Sequence, residues 1–128
     1  MNLKFLSELK KLNLPEDKFA IFGSGPIAIR NLRMNRDLDV IVKKDLWKKL
    51  MKIYPVDKSV NGIKIGCIEI WDSWPGFENI DELIDNADII EWIRFVKLEN
   101  VLKWKKVRNM QKDKEDIKLI EDYLREEE

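Results

Sequence analysis

Two aspartates one residue apart, Asp37 and Asp39, and a glycine-serine turn, Gly23-Ser24-Gly25-Pro26, concentrate the chemistry of this chain. In an extended strand successive side chains alternate, so Asp37 and Asp39 share one face and Leu38 and Val40 the other. Carboxylates so spaced lie ~6.7 Å apart. At an effective dielectric of about 20 they repel by roughly 2.5 kcal/mol, close to two pKa units. A cation relieves that repulsion, and all-oxygen ligation favours a hard ion, magnesium or manganese, that also takes substrate phosphates. In the turn, Gly23 and Gly25 permit positive φ and close backbone approach, Ser24 offers a hydroxyl, and Pro26 suits the first helical position. Its backbone donors and the positive end of the helix dipole form an expected phosphate cradle. Arg30 and Arg33, three apart, share a helical face free to meet an anion. A phosphate cradle beside a metal-holding pair describes a nucleotide site.

The elements that must position these groups are legible around them. Phe19 to Phe22 is an uninterrupted apolar run stopped by Gly23, which predicts a central strand covered on both faces. Ile27, Ala28 and Leu32 can face inward from a short helix, and Asp37 opens the next strand. Gly23 to Ala28 also fits the GxGxxA dinucleotide fingerprint. That unit places its acid about twenty residues on, at the end of the second strand; here the acids come sooner, at the strand's start.

Phe22-Gly23-Ser24, twelve intervening residues and Asp37-Leu38-Asp39-Val40 resemble the signature of the nucleotidyltransferase superfamily with the DNA polymerase beta-like fold. The resemblance implies that Gly23 and Ser24 hold a nucleoside triphosphate's phosphates and that Asp37 and Asp39 bind divalent metal. It also implies a third acid on a neighbouring strand. Glu69, in the alternating stretch Cys67-Ile68-Glu69-Ile70-Trp71, is the candidate for completing the metal site or accepting a proton. A solvated strand glutamate is the other reading, with Asp57 and Asp72 as substitutes.

The 128 residues fit a single domain, with a core over 1–96 and C-terminal helices over 97–128. Twenty-four basic and 24 acidic side chains balance, so no overall field recruits nucleic acid or an anionic membrane. No membrane span or signal pattern is visible, which makes the cytoplasm the expected location. A lone Cys67 excludes an intrachain disulfide and is expected to be a buried strand residue; the absence of histidine removes His-dependent catalysis. Helical spacing predicts a helix over Leu3 to Leu12 and another from an Asp45 N-cap to Tyr54, with Trp47 in the core. Val56 to Val60 and Ile63 to Trp71 are expected to pair as a hairpin about Asn61-Gly62. Trp74, in a turn-rich loop, is a substrate-contact candidate. Ile80 to Ala87 reads as a short helix, Ile89 to Val96 as an irregular or edge strand, and Trp92 is expected to pack.

From Leu98 the pattern predicts two helices, or one bent near Asn109. Lys105, Lys112, Asp113 and Asp116 are similar to the late motif of minimal nucleotidyltransferases, including the abortive-infection toxin branch. The resemblance makes Lys105 and Lys112 phosphate-binding or electrostatic candidates and has Asp113 and Asp116 pair with Arg or Lys. Met110 stands where many relatives carry Arg, with Arg108 nearby. The expectation is therefore an α+β nucleotidyltransferase fold, a small mixed sheet flanked by helices, transferring a nucleotide to an unidentified acceptor. The alternative is a catalytically degenerate or partner-dependent module, such as a toxin-antitoxin component with a protein partner.

Overall fold

The computed structural model describes residues 3–127; Met1, Asn2 and Glu128, the ends of the expected domain, lie outside them. The fold is mixed α+β. Phe19–Phe22 forms β1 and Leu38–Val42 forms β2, antiparallel to each other and joined through a four-residue helix α2, Gly25–Ala28. The first helix, α1, is confined to Leu6–Lys10, shorter than expected, because Phe5 before it and Asn13 after it adopt left-handed backbone angles. Lys44–Met51 forms α3, with Leu46, Trp47 and Leu50 buried as the 3.6-residue period requires.

Next come β3 (Val56–Asp57), β4 (Gly62–Ile65) and β5 (Ile68–Trp71), then α4 (Ile80–Asp85), β6 (Asp88–Ile90) and β7 (Ile93–Phe95). Two helices close the chain, α5 (Leu98–Arg108) and α6 (Asp113–Glu126), separated by Asn109 in the left-handed conformation. Among the described residues the strands form one seven-stranded sheet in the order β3-β4-β5-β2-β1-β7-β6. β1 pairs parallel with β7 and β2 parallel with β5; the other neighbours are antiparallel.

β1 alternates its side chains between two cores. Phe19 and Ile21 join Leu38, Val40, Ile68 and Ile70 under α1 and α3. Ala20 and Phe22 join Ile41, Leu83, Val101 and Ile120 under α2, α4, α5 and α6. Helices on both faces explain why a four-residue strand is apolar throughout.

Several expectations change. The hairpin about Asn61-Gly62 pairs only Val56-Asp57 with Gly62-Ile63, and the long strand expected from Ile63 to Trp71 is folded in two by a Gly66-Cys67 turn. Cys67 therefore sits exposed in that turn rather than buried in a strand. Trp74 is no substrate contact: it is 7% exposed and lies flat on Phe22, ring centroids 4.2 Å apart, with Trp104 edge-on at 4.9 Å. Trp92 does not pack. It is 83% exposed at the two-residue tip of the β6–β7 hairpin, where Glu91 and Trp92 both take positive φ. Among the described residues no helix is long and apolar enough to cross a membrane.

The two tryptophans should respond oppositely to truncation. Trp74→Ala opens the aromatic stack under Phe22 and is expected to cost about 3–5 kcal/mol. Trp92→Gly relieves a left-handed backbone at a turn that favours glycine and should be neutral or stabilising by up to about 1 kcal/mol. Urea denaturation of both variants checks the pair; equal losses would mean that Trp92 is packed.

Candidate functional site

β1 runs into Gly23 at the same end of the sheet at which its antiparallel neighbour β2 begins, so the glycine turn and the two aspartates meet there. Phe22 stands opposite Asp39 in the ladder. Gly23 has φ +63°, and a Cβ on it would overlap the Asp39 carboxylate. Both conformation and space therefore require glycine at this position. On the other side of β2, parallel β5 sets Glu69 beside Asp39, each partly exposed. Asp39 and Glu69 project from the face opposite Leu38, Val40, Ile68 and Ile70, toward the layer that holds α5 and α6. Asn35, itself buried, fixes the approach to the pair: its Nδ2 donates to the carbonyls of Lys4 and Asp37, and its Oδ1 accepts from the Lys4 N–H.

Burial pushes the Asp39 carboxyl up to about 7. The charge of Glu69, a hydrogen bond with it, and the charge of Asp37 add to the rise, while Lys105 opposes it. Near neutral pH Asp39 thus shares its time between proton and charge, as expected where carboxylates crowd together.

A cleft of about 480 Å³ opens over these groups. Its sheet side carries Gly23, Ser24, Asp37 and Asp39; its helical side carries Lys105, Arg108 and Lys112, with Arg33 and Arg36 from the loop before β2. Ser24 makes no side-chain capping bond to α2, and at four residues α2 is too short for the expected dipole contribution. The basic wall is internally paired. Buried Lys105 lies 3.0 Å from Asp116 and 3.4 Å from Asp113. Arg33 forks onto Asp116 at 2.5 and 2.7 Å, and Arg108 forks onto Asp113, which also accepts the Met110 N–H. Arg108 stacks over Trp104, 4.2 Å from the ring centroid. The Arg108 guanidinium and Met110 N–H hold Asp113 at about 2, below its ordinary value, against the opposing effect of burial. Arg36 and Lys112, both exposed, have no carboxylate within ion-pair distance among the described residues.

The structure thus brings Gly23, Ser24, Asp37, Asp39, Lys105 and Lys112 to one cleft and sets Glu69 beside Asp39. Arg30 is elsewhere: it binds Asp88 at 3.0 Å and the Pro26 carbonyl at 2.8 Å, tying α2 to the β6–β7 hairpin. Of the substitutes for Glu69, Asp57 bonds Ser59 and Asp72 pairs with Lys44. The antiparallel β1–β2 pairing also differs from the parallel unit that a dinucleotide fingerprint needs. Arg36 was not singled out from the sequence, although its place immediately before Asp37 puts it at the same strand entrance. Asn35 has no pattern that would have marked it.

Among the described residues no three His, Cys, Asp or Glu side chains are gathered as a bound ion would require. The donor chemistry nevertheless fits a hard divalent cation: it is all carboxylate, with Asp39 set beside Glu69 and near Asp37, whose charges add to the rise that burial gives its carboxyl. Compared with known proteins, the chain matches no protein-family model, no curated protein and no solved structure.

Two pH effects follow, with opposite signs. Asp113, depressed to about 2 from 3.8, stabilises the fold above pH 4, and that contribution disappears as pH falls from 4 to 2. Asp113→Ala should remove this acid step and cost about 3–5 kcal/mol at pH 7, since Lys105 and Arg108 lose their shared partner. Asp39 is raised from 3.8 to about 7, so the unfolded chain releases its proton first and stability declines as pH rises from 4 to 7. Asp39→Asn should abolish that decline and stabilise the metal-free protein at pH 8 by on the order of 2–4 kcal/mol. Chemical denaturation between pH 2 and pH 8 reads both, and parallel wild-type and Asp39→Asn curves would refute the second.

Proposed function

We propose that this protein is a metal-dependent nucleotidyltransferase, built on a DNA polymerase beta-like nucleotidyltransferase fold, that moves a nucleoside monophosphate from a nucleoside triphosphate to an acceptor hydroxyl. The observation that carries the reading is the in-register pair Asp39 and Glu69, with Asp37 at the mouth of the same strand, beneath a cleft whose far wall supplies cations. Asp37, Asp39 and Glu69 would hold magnesium or manganese. Bound there, the ion supplies neutralisation of the triphosphate and acidification of the acceptor hydroxyl.

The chain's own groups do the rest. Ser24 and the adjoining backbone bind the β- and γ-phosphates, and Arg36 and Lys112, the cleft cations without a carboxylate partner, orient the triphosphate. A carboxylate of the trio takes the hydroxyl proton as the acceptor oxygen attacks the α-phosphorus. The bond from that phosphorus to the bridging oxygen breaks, and pyrophosphate carries the electron pair away. Lys105 adds a fixed positive charge near Asp39, while Arg33, Asp116 and Asp113 keep it in place.

A second reading, a module that a protein partner must complete, as in a toxin-antitoxin pair, draws on one observation: Lys105, Arg33 and Arg108 are all committed to internal ion pairs. Calorimetric titration with nucleoside triphosphates, with and without magnesium, separates the two. Magnesium-dependent binding that Asp37→Asn/Asp39→Asn reduces at least tenfold is expected. Binding by neither form of well-folded protein until a partner chain is added would favour the second reading and defeat the first.

A further inference from the structure

Beside the charged cleft lies an apolar hollow of about 280 Å³, between the loop carrying Gly76 and Phe77 and the outer side of α5, where Lys103 and Val107 project. Trp104 and Arg108 line both spaces. Arg108, stacked on Trp104, is therefore the ridge between the cleft and the hollow, and a ligand held by its phosphates in the cleft has the hollow as its adjoining apolar surface. The two spaces have complementary chemistry. The cleft is walled by charges and the Gly23-Ser24 turn, with Trp104 as its one aromatic side chain. That ring is already covered by Arg108 at 4.2 Å and Lys105 at 4.9 Å. The cleft thus holds phosphate and offers a flat apolar group little to pack on. The hollow supplies what is missing: Phe77 is partly exposed, and Val107 is 77% exposed on a helix whose other outward residues are mainly charged.

We infer that this hollow seats the nucleobase, and that it takes a purine carrying a carbonyl at position 6 in preference to the other bases. The inference rests on the nucleotide reading above. The base packs against Phe77 and Val107, a gain proportional to the apolar area covered; a purine covers more of it than a pyrimidine. The choice between purines comes from the polar groups at the hollow's edge. Lys103, whose ammonium lies 5.4 Å from the Phe77 ring centroid, and Arg108 bring only donors. No side chain lining the hollow is an acceptor of the carboxylate, amide or hydroxyl type. Guanine presents two adjacent acceptors, O6 and N7, to such donors, whereas adenine sets its amino group where O6 would be. An amino group facing Lys103 meets a donor and finds no side-chain acceptor in the lining.

The experiment is calorimetry with GTP, ATP, CTP, UTP and inorganic tripolyphosphate, each with magnesium, on the wild type, Val107→Gln and Lys103→Met. Both substituted side chains are exposed, so the variants should fold. GTP should bind most tightly and tripolyphosphate, which has no base, most weakly. Val107→Gln should weaken GTP about three- to tenfold and leave tripolyphosphate unchanged; Lys103→Met should bring GTP down to the affinity of ATP. If the nucleotides bind no tighter than tripolyphosphate and ignore Val107→Gln, the base seat is wrong and the phosphate site stands. GTP and ATP binding alike would overturn the carbonyl preference. Binding of none of the five would instead overturn the nucleotide reading itself, and this inference with it.

Discussion

The constraint on which the site depends is the register between two parallel strands. Because Asp39 is paired with Glu69 across β2 and β5, two acids are held side by side by backbone hydrogen bonds, and neither can be moved without moving a strand. β2 also carries Leu38, Val40 and Ile41 into the two cores, so a one-residue slip would bury Asp39 among Leu38's neighbours and expose Val40. The hydrophobic alternation that builds the sheet is thus what forces the carboxylates together. Burial, and then the charges of Glu69 and Asp37, raise the Asp39 carboxyl in that position.

The opposite wall solves the converse problem. A lysine as buried as Lys105 stays charged only between anions, and Asp113 and Asp116 supply them from α6. Arg33 and Arg108 then offset the second negative charge, so that the row Arg33, Asp116, Lys105, Asp113, Arg108 alternates in sign from the α2–β2 loop to the end of α5. Removing any member leaves a buried neighbour uncompensated, so the row fixes α5 and α6 against each other and both against the loop before Asp37. The geometry of the cleft follows from that row.

Strongly patterned parts of this arrangement were legible in the sequence: the apolar run of β1, the glycine turn, the acids at the start of β2 and the break near Asn109. Each is a local pattern whose reading needs only neighbours in the chain. What misled was context from distant segments. Arg30 looked free because nothing nearby in sequence opposes it, yet Asp88, fifty-eight positions on, takes it. Trp74 looked like a loop residue because proline and glycine follow it, yet Phe22 and Trp104 enclose it. Trp92 looked like core because tryptophan usually is, and the two-residue hairpin turn that turns it outward has none of the usual glycine or asparagine.

An overall charge of zero hides the division that matters. Of the charged side chains around the cleft, those of Arg33, Lys105, Arg108, Asp113 and Asp116 are paired with one another within the protein, three cations against two anions. The remainder lies in two places: Arg36, Asp37 and Asp39 at the entrance of β2, Lys112 and Glu115 on the helical side. On the proposed reading a metal ion would meet Asp37 and Asp39 and an anion Arg36 and Lys112, so a ligand carrying both charges would satisfy the cleft better than either charge alone. A triphosphate chelating a divalent cation has that form, and its affinity should then depend on both walls at once. The internal row sets the terms of that proposal: by fixing which cations are already paired, it leaves Arg36 and Lys112 as the cleft cations without a carboxylate partner among the described residues.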